Sequence, residues 1–116
     1  MNFIEKEKRP WGSYYVIHDE KDYKLKRIEV LPNQRLSYQY HNRREESWTI
    51  VKGTGIVTIN DKETVVSQGD TIKLLVKDKH RILNSGDNKL IFIEVQTGSY
   101  FGEDDIVRIE DDYKRI

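Results

Sequence analysis

The apolar residues of this chain come in short runs that alternate with polar ones, and helical periodicity is nearly absent. Trp48-Thr49-Ile50-Val51, Thr71-Ile72-Lys73-Leu74-Leu75-Val76 and Leu90-Ile91-Phe92-Ile93-Glu94-Val95 are each bounded by Gly, Asn, Asp or Lys clusters. A period of two places strands at 13–17, 23–31, 35–41, 46–52, 55–59, 62–66, 71–76, 81–83 and 90–97. Turn signals fall between them at Pro32-Asn33, Gly53-Thr54-Gly55, Asn60-Asp61, Gln68-Gly69-Asp70 and Ser85-Gly86-Asp87-Asn88, with Asn60-Asp61 predicted to close a tight hairpin. Such punctuation predicts an all-β sandwich or small barrel.

A hydrophobic fraction of 36% against 34% charged residues would suit a solvated chain if the apolar residues were scattered, but their concentration in runs predicts a folded one. At 116 residues the chain has the size of one domain, 1–116, in which scaffold and site share a single barrel. Twenty basic residues balance twenty acidic ones, so no phosphate-gripping surface for nucleic acid is expected. No apolar stretch approaches the ~20 residues that span a bilayer, and Met1–Lys6 lacks the apolar core of a signal peptide, which makes the cytoplasm the expected compartment. Without cysteine, any metal ligands must come from His, Glu, Asp or Gln. The tail turns acidic at 102–105 and 110–112 and reads as a closing segment packed through Tyr100, Phe101, Ile106 and Ile109.

Alternation also sorts polar residues onto faces. In the third strand Ser37, Gln39 and His41 share one face, and Leu36, Tyr38 and Tyr40 the other. A row of Ser, Gln and His marks either a polar site inside the barrel or a solvated face. The apolar row needs a second sheet or another subunit to cover it. Lys24 and Lys26 share a face with Ile28 and Val30, so Lys26 points toward the barrel mouth if those two point inward. Glu94 and Gln96 lie opposite Ile93 and Val95 and are candidates for lining a pocket. His18, in a charged turn, reads as solvated, and Trp11 and Trp48 as packing residues.

His41, Glu46 and Gly53, followed by Gly69, His80 and Asn84, resemble the two cupin motifs, in which histidines and a glutamate converge on a metal. Arg43 stands where a second histidine is usual, and Leu75 and Lys77 replace the usual Pro and Gly. A closer resemblance covers nearly the whole chain. Arg9-Pro10-Trp11-Gly12, Tyr23–Ile28, Leu36–His41, Arg44, Glu46, Trp48, Gly53-Thr54, His80-Arg81, Ile93–Gly98 and Gly102–Arg108 are similar to the cupin domain of type II phosphomannose isomerases. That domain usually ends bifunctional mannose-1-phosphate guanylyltransferases; here it is expected to stand alone.

The resemblance implies a cupin double-stranded β-helix (jelly-roll) barrel acting as a mannose-6-phosphate isomerase, with a sugar phosphate as partner. It implies a divalent metal, zinc first, with manganese, iron or cobalt as alternatives. A cation at Arg43 is repelled by such an ion unless it swings away. Gln39, on the face of His41, offers an amide oxygen instead, so Gln39, His41, Glu46 and His80 form a ligand set resembling that of type I phosphomannose isomerases. The bland alternative makes both histidines hydrogen-bonded residues of the barrel mouth. Arg44, Lys26 and Arg108 are the candidate catalytic cations, with Lys26, Arg44, Glu94 and Gln96 as substrate contacts. The acidic Glu103-Asp104-Asp105 is a candidate base or a solvent-facing run. Two other functions stay open: a cupin that binds a sugar phosphate or nucleotide sugar without turnover, and a metal-independent sugar-nucleotide isomerase or epimerase using His and Tyr. A homodimer is expected, built on barrel faces or on exchange of the segment carrying Phe3, Ile4 and Trp11.

Overall fold

A computed structural model describes residues 2–115. Among them lie eleven strands and no helix: β1 (Glu5–Arg9), β2 (Gly12–Asp19), β3 (Tyr23–Val30), β4 (Tyr38–Tyr40), β5 (Arg44–Lys52), β6 (Thr54–Ile59), β7 (Lys62–Ser67), β8 (Thr71–Leu74), β9 (His80–Asn84), β10 (Leu90–Gly98) and β11 (Val107–Glu110). They form two antiparallel sheets, ordered β1-β2-β3-β10-β5-β8 and β11-β4-β9-β6-β7. The cluster between them includes Trp11, Val30, Trp48, Ile50, Ile82, Leu90 and Phe92. Among the described residues no helix is long and apolar enough to cross a membrane.

Asn60 and Asp61, at φ 48° and 70°, close the β6–β7 hairpin with Ile59 opposite Lys62, as the dipeptide predicts. Two strands escape the pattern. β1 is Glu-Lys-Glu-Lys-Arg, a charged edge with no apolar alternation, and charges on an outer strand discourage pairing with other chains. β11 is four residues within the acidic tail. The predicted third strand shrinks to Tyr38–Tyr40, preceded by a lone bridge from Arg35 to Leu83. Leu36 joins the core, and Tyr38 is buried with its hydroxyl on Asp61, so this row finds cover within the chain. Trp11 likewise packs into its own core, leaving Phe3 and Ile4 exposed. The tail does not close through Tyr100 and Ile109, which are exposed; its buried residue is Asp105. Lys77, at the glycine position of the motif, takes φ 68°, the left-handed region that glycine adopts more easily.

Register explains where the site falls. On the inner face, Phe92 of β10 lies between Ile28 of β3 and Ile50 of β5, an apolar row. Two residues along, Glu94 lies between Lys26 and Trp48; two further, Gln96 lies between Lys24 and Glu46. The interior therefore changes from hydrocarbon to ionic along the same strands, and the ionic end is the mouth.

Candidate active site

The ionic end holds the sequence candidates. Lys26, Gln39, Arg44, Glu46, Glu94 and Arg108 line one cavity, with Tyr14, Glu103, Arg9 and Arg115. Gln96 is fully buried and donates its amide to Glu94 Oε2 at 2.7 Å. His18 stays on the surface beside Tyr23.

His41, Glu46 and His80 are all buried, and one ligand atom from each lies within 4.8 Å of the others. Nδ1 of His41 is 2.7 Å from the Asp105 carbonyl oxygen, and Nδ1 of His80 is 2.8 Å from that of Asp78. A carbonyl only accepts, so both Nδ1 atoms carry hydrogen, and a neutral ring then has its lone pair on Nε2. His80 Nε2 is buried with no hydrogen-bond partner, and burial lowers the His80 pKa, which keeps the lone pair free. His41 Nε2 is 3.1 Å from Glu46 Oε2, a separation that a proton or a metal cation must bridge. Two imidazole nitrogens and a carboxylate, each ring held through its other nitrogen by a backbone carbonyl, have the chemistry of a divalent-metal site. The residues fit the ion.

Arg43 does not obstruct it: its guanidinium lies on the surface over the Tyr100 ring at 5.4 Å. The cation beside the donors is the next residue. Arg44, buried, donates from Nε to Glu46 Oε2 at 2.8 Å and places Nη2 3.4 Å from His41 Nε2. Gln39 lines the cavity with Oε1 accepting from the Ser37 hydroxyl at 2.7 Å, which leaves that oxygen a second lone pair.

The two buried glutamates are driven apart. Burial alone raises both, but hydrogen bonding to His41 and the charge of Arg44 hold Glu46 well below the ordinary carboxylate range. Burial and the nearby Glu46 charge push Glu94 up to about 8, against Lys26 and Arg44. Glu46 is thus the stronger acid of the pair and Glu94 the weaker. Trp48 Nε1 donates to an oxygen of each at 2.9 Å, so this tryptophan does more than pack.

The acidic tail is a structural part of the site, which alternation could not reveal. Asp105 Oδ1 and Oδ2 accept from the backbone of Asn42 and Arg43 at 3.1 and 2.9 Å while its carbonyl orients His41, so one buried residue fixes the whole loop. Glu103 reaches Lys26 Nζ at 3.2 Å and Arg44 Nη1 at 3.5 Å. Although burial raises it, Lys26 and Arg44 hold its pKa below the ordinary value. Close packing brings β10 to this loop: a Cβ at Gly98 would lie 2.3 Å from the Arg43 carbonyl oxygen. Of these residues only Glu103 and Asp105 carried a signal, an acidic run amid apolar neighbours.

Comparison with known proteins identifies the family and the fold. Residues 2–111 match the family model described as mannose-6-phosphate isomerase C-terminal. The chain is 44% identical over 107 residues to the alginate biosynthesis protein AlgA of Pseudomonas aeruginosa, covering 92% of this chain and 22% of that protein. It is 43% identical over 108 residues to the mannose-1-phosphate guanylyltransferase ManC of Salmonella typhimurium, covering 93% and 22%. The chain thus spans under a quarter of the curated relatives it matches. Among solved structures, the capsular polysaccharide assembling protein CapF of Staphylococcus aureus superposes with a TM-score of 0.81 at 20% identity, over 92% of this chain and 34% of that one. A Klebsiella pneumoniae protein with a double-stranded β-helix domain superposes with a TM-score of 0.74 at 21% identity, over 84% and 83%. The fold is the cupin double-stranded β-helix, and the chain belongs to the mannose-6-phosphate isomerase C-terminal family.

Proposed function

We propose that this chain interconverts mannose 6-phosphate and fructose 6-phosphate with a divalent metal held by His41, Glu46 and His80, and Gln39 as the fourth donor. The observation that carries this reading is the buried Nε2 of His80, which has no hydrogen-bond partner and lies within ligand distance of Glu46 and His41. A bound ion would supply polarisation of the sugar's carbonyl and hydroxyl oxygens. Zinc suits the donors best, and manganese, iron and cobalt remain compatible.

The rest falls to side chains on the cavity wall. Isomerisation moves one proton between neighbouring carbons through an enediolate. Glu103, which lines the cavity and whose pKa Lys26 and Arg44 hold below the ordinary value, takes that proton from one carbon and returns it to the next in this reading. Lys26, buried and held over the Tyr14 ring at 4.1 Å, and Arg44 supply fixed positive charge to the oxygens on which negative charge develops. Arg108 contributes to holding the phosphate. Burial of Lys26, Arg44, Glu46 and Glu94 keeps these interactions in a low-dielectric setting where they are strong.

One observation favours a second reading, a sugar-phosphate binding module without turnover. The Arg44 guanidinium already occupies the Glu46 oxygen that an ion would need. Elemental analysis after incubation with zinc, manganese, iron and cobalt tests the difference. About one metal per chain supports the isomerase; no stoichiometric metal, with mannose 6-phosphate still bound in calorimetry, supports the binding module.

A further inference from the structure

Five cations line the cavity, Arg9, Lys26, Arg44, Arg108 and Arg115, against three carboxylates, Glu46, Glu94 and Glu103. The carboxylates pair with the two inner cations, since Glu46 holds Arg44 and Glu103 holds both Lys26 and Arg44. The other three arginines lie outside that set, with Arg9 paired to Glu7 at 3.2 Å and Arg115 to Asp111 at 2.7 Å.

The three arginines come from separate parts of the chain: the end of β1, β11 and the C-terminal turn. Two are fixed from behind. Arg9 donates from Nη2 to the Tyr14 hydroxyl at 3.2 Å and lies over that ring at 5.0 Å. Arg115 is gripped by Asp111, which accepts from Nε at 2.7 Å and Nη2 at 2.9 Å. The third, Arg108, has its Nε buried with no hydrogen-bond partner. Burial, and then the charges of Arg115 and Arg9, lower the Arg108 pKa, although Asp111 and Glu103 oppose this. Like charges crowded at a cavity wall with a buried unmet donor lower the stability of the free protein and favour an incoming anion.

We propose that Arg9, Arg108 and Arg115 form a subsite at the cavity wall for a dianionic phosphoryl group, and that it sets which end of the substrate reaches Lys26, Arg44 and Glu103. This rests on the reading of the cavity as a sugar-phosphate site and adds Arg9 and Arg115 to it. A phosphate ester carries about −1.5 to −2 charge at neutral pH and offers three acceptor oxygens to planar guanidinium donors, of which the buried Arg108 Nε has no partner. The phosphate end is anchored at β1 and the tail, and the other end of the sugar extends toward the buried donors.

Calorimetry of wild-type, Arg9→Gln and Arg115→Gln proteins with inorganic phosphate, mannose 6-phosphate and free mannose tests this, with thermal melts to show that each variant folds. Each substitution is expected to weaken mannose 6-phosphate binding by roughly ten- to a hundredfold and to abolish inorganic phosphate binding, the loss of a charge-assisted contact. Arg9→Lys is expected to retain part of the affinity. Folded variants that bind both phosphates as wild type does overturn the subsite, as does a wild type that binds neither. If wild-type protein isomerises the sugar phosphate while the variants keep its KM, the subsite falls and the isomerase stands. If the variants lose phosphate binding while wild type gives no product, the isomerase falls and the subsite stands.

Discussion

Arg44→Met is the substitution that most directly separates the charge of Arg44 from its bulk. Arg44 and Glu46 are 4% and 2% exposed and joined at 2.8 Å, so methionine keeps much of the apolar stem while leaving a buried carboxylate without its guanidinium. Removing one partner of a buried ion pair costs about 3–5 kcal/mol. Glu46 keeps His41 Nε2 at 3.1 Å and Trp48 Nε1 at 2.9 Å, which places the loss at the lower end, about 3 kcal/mol. For a domain of this size that is a fall in Tm of roughly 10–15 °C. A divalent ion on His41, Glu46 and His80 replaces the missing positive charge, and at a hundred times its Kd it returns about 2.7 kcal/mol, nearly the whole loss. Wild-type protein gains less, because the guanidinium must leave Glu46 before the ion takes it. The assay is a pair of thermal melts by circular dichroism, after chelation and after adding zinc or manganese. A variant melting within about 2 °C of wild type without metal, or equal metal-induced gains in both proteins, refutes the claim that guanidinium and ion share these donors.

His80→Ala is expected to abolish stoichiometric metal uptake in elemental analysis, whereas His18→Ala, on the surface, leaves it unchanged. Glu103→Gln, which removes the carboxylate assigned the proton transfer, is expected to lower kcat of the metal-loaded protein by roughly a hundredfold or more in a coupled assay. Acid is expected to destabilise the tail. Hydrogen bonding to Arg115 pulls Asp111 from 3.8 to about 2, and a depressed folded pKa contributes stability that is present above the unfolded value and lost as pH falls through the folded one. Tm is therefore expected to fall between about pH 4 and pH 2, and Asp111→Asn to flatten that slope in melts across the range.

The sheets were legible wherever one face meets hydrocarbon. Trp48 and Ile50, or Leu90 and Phe92, announce buried strands because alternation is the imprint of a half-buried sheet. β1 left no imprint because a charged edge strand is held by its ladder to β2 rather than by apolar burial. The same alternation put Lys26 on the face of Ile28 and Glu94 and Gln96 on the face of Phe92, while it left the face of Gln39 and His41 open between the barrel interior and solvent. It could not show which charges meet. Glu103 and Asp105 arrive from the far end of the chain, and their contacts with Lys26 and His41 depend on how the tail folds back over β4. Nor could it tell Arg43 from Arg44, because one residue of register turns the first to the surface and the second into the core.

The central claim is that the donor set of His41, Glu46 and His80 supports turnover. The most direct measurement is formation of fructose 6-phosphate from mannose 6-phosphate by chelated protein reloaded with each of zinc, manganese, iron and cobalt. The account predicts product above the buffer control with at least one metal, none after chelation, and none from free mannose. Mannose 6-phosphate that binds but yields no fructose 6-phosphate with any of the four metals contradicts it.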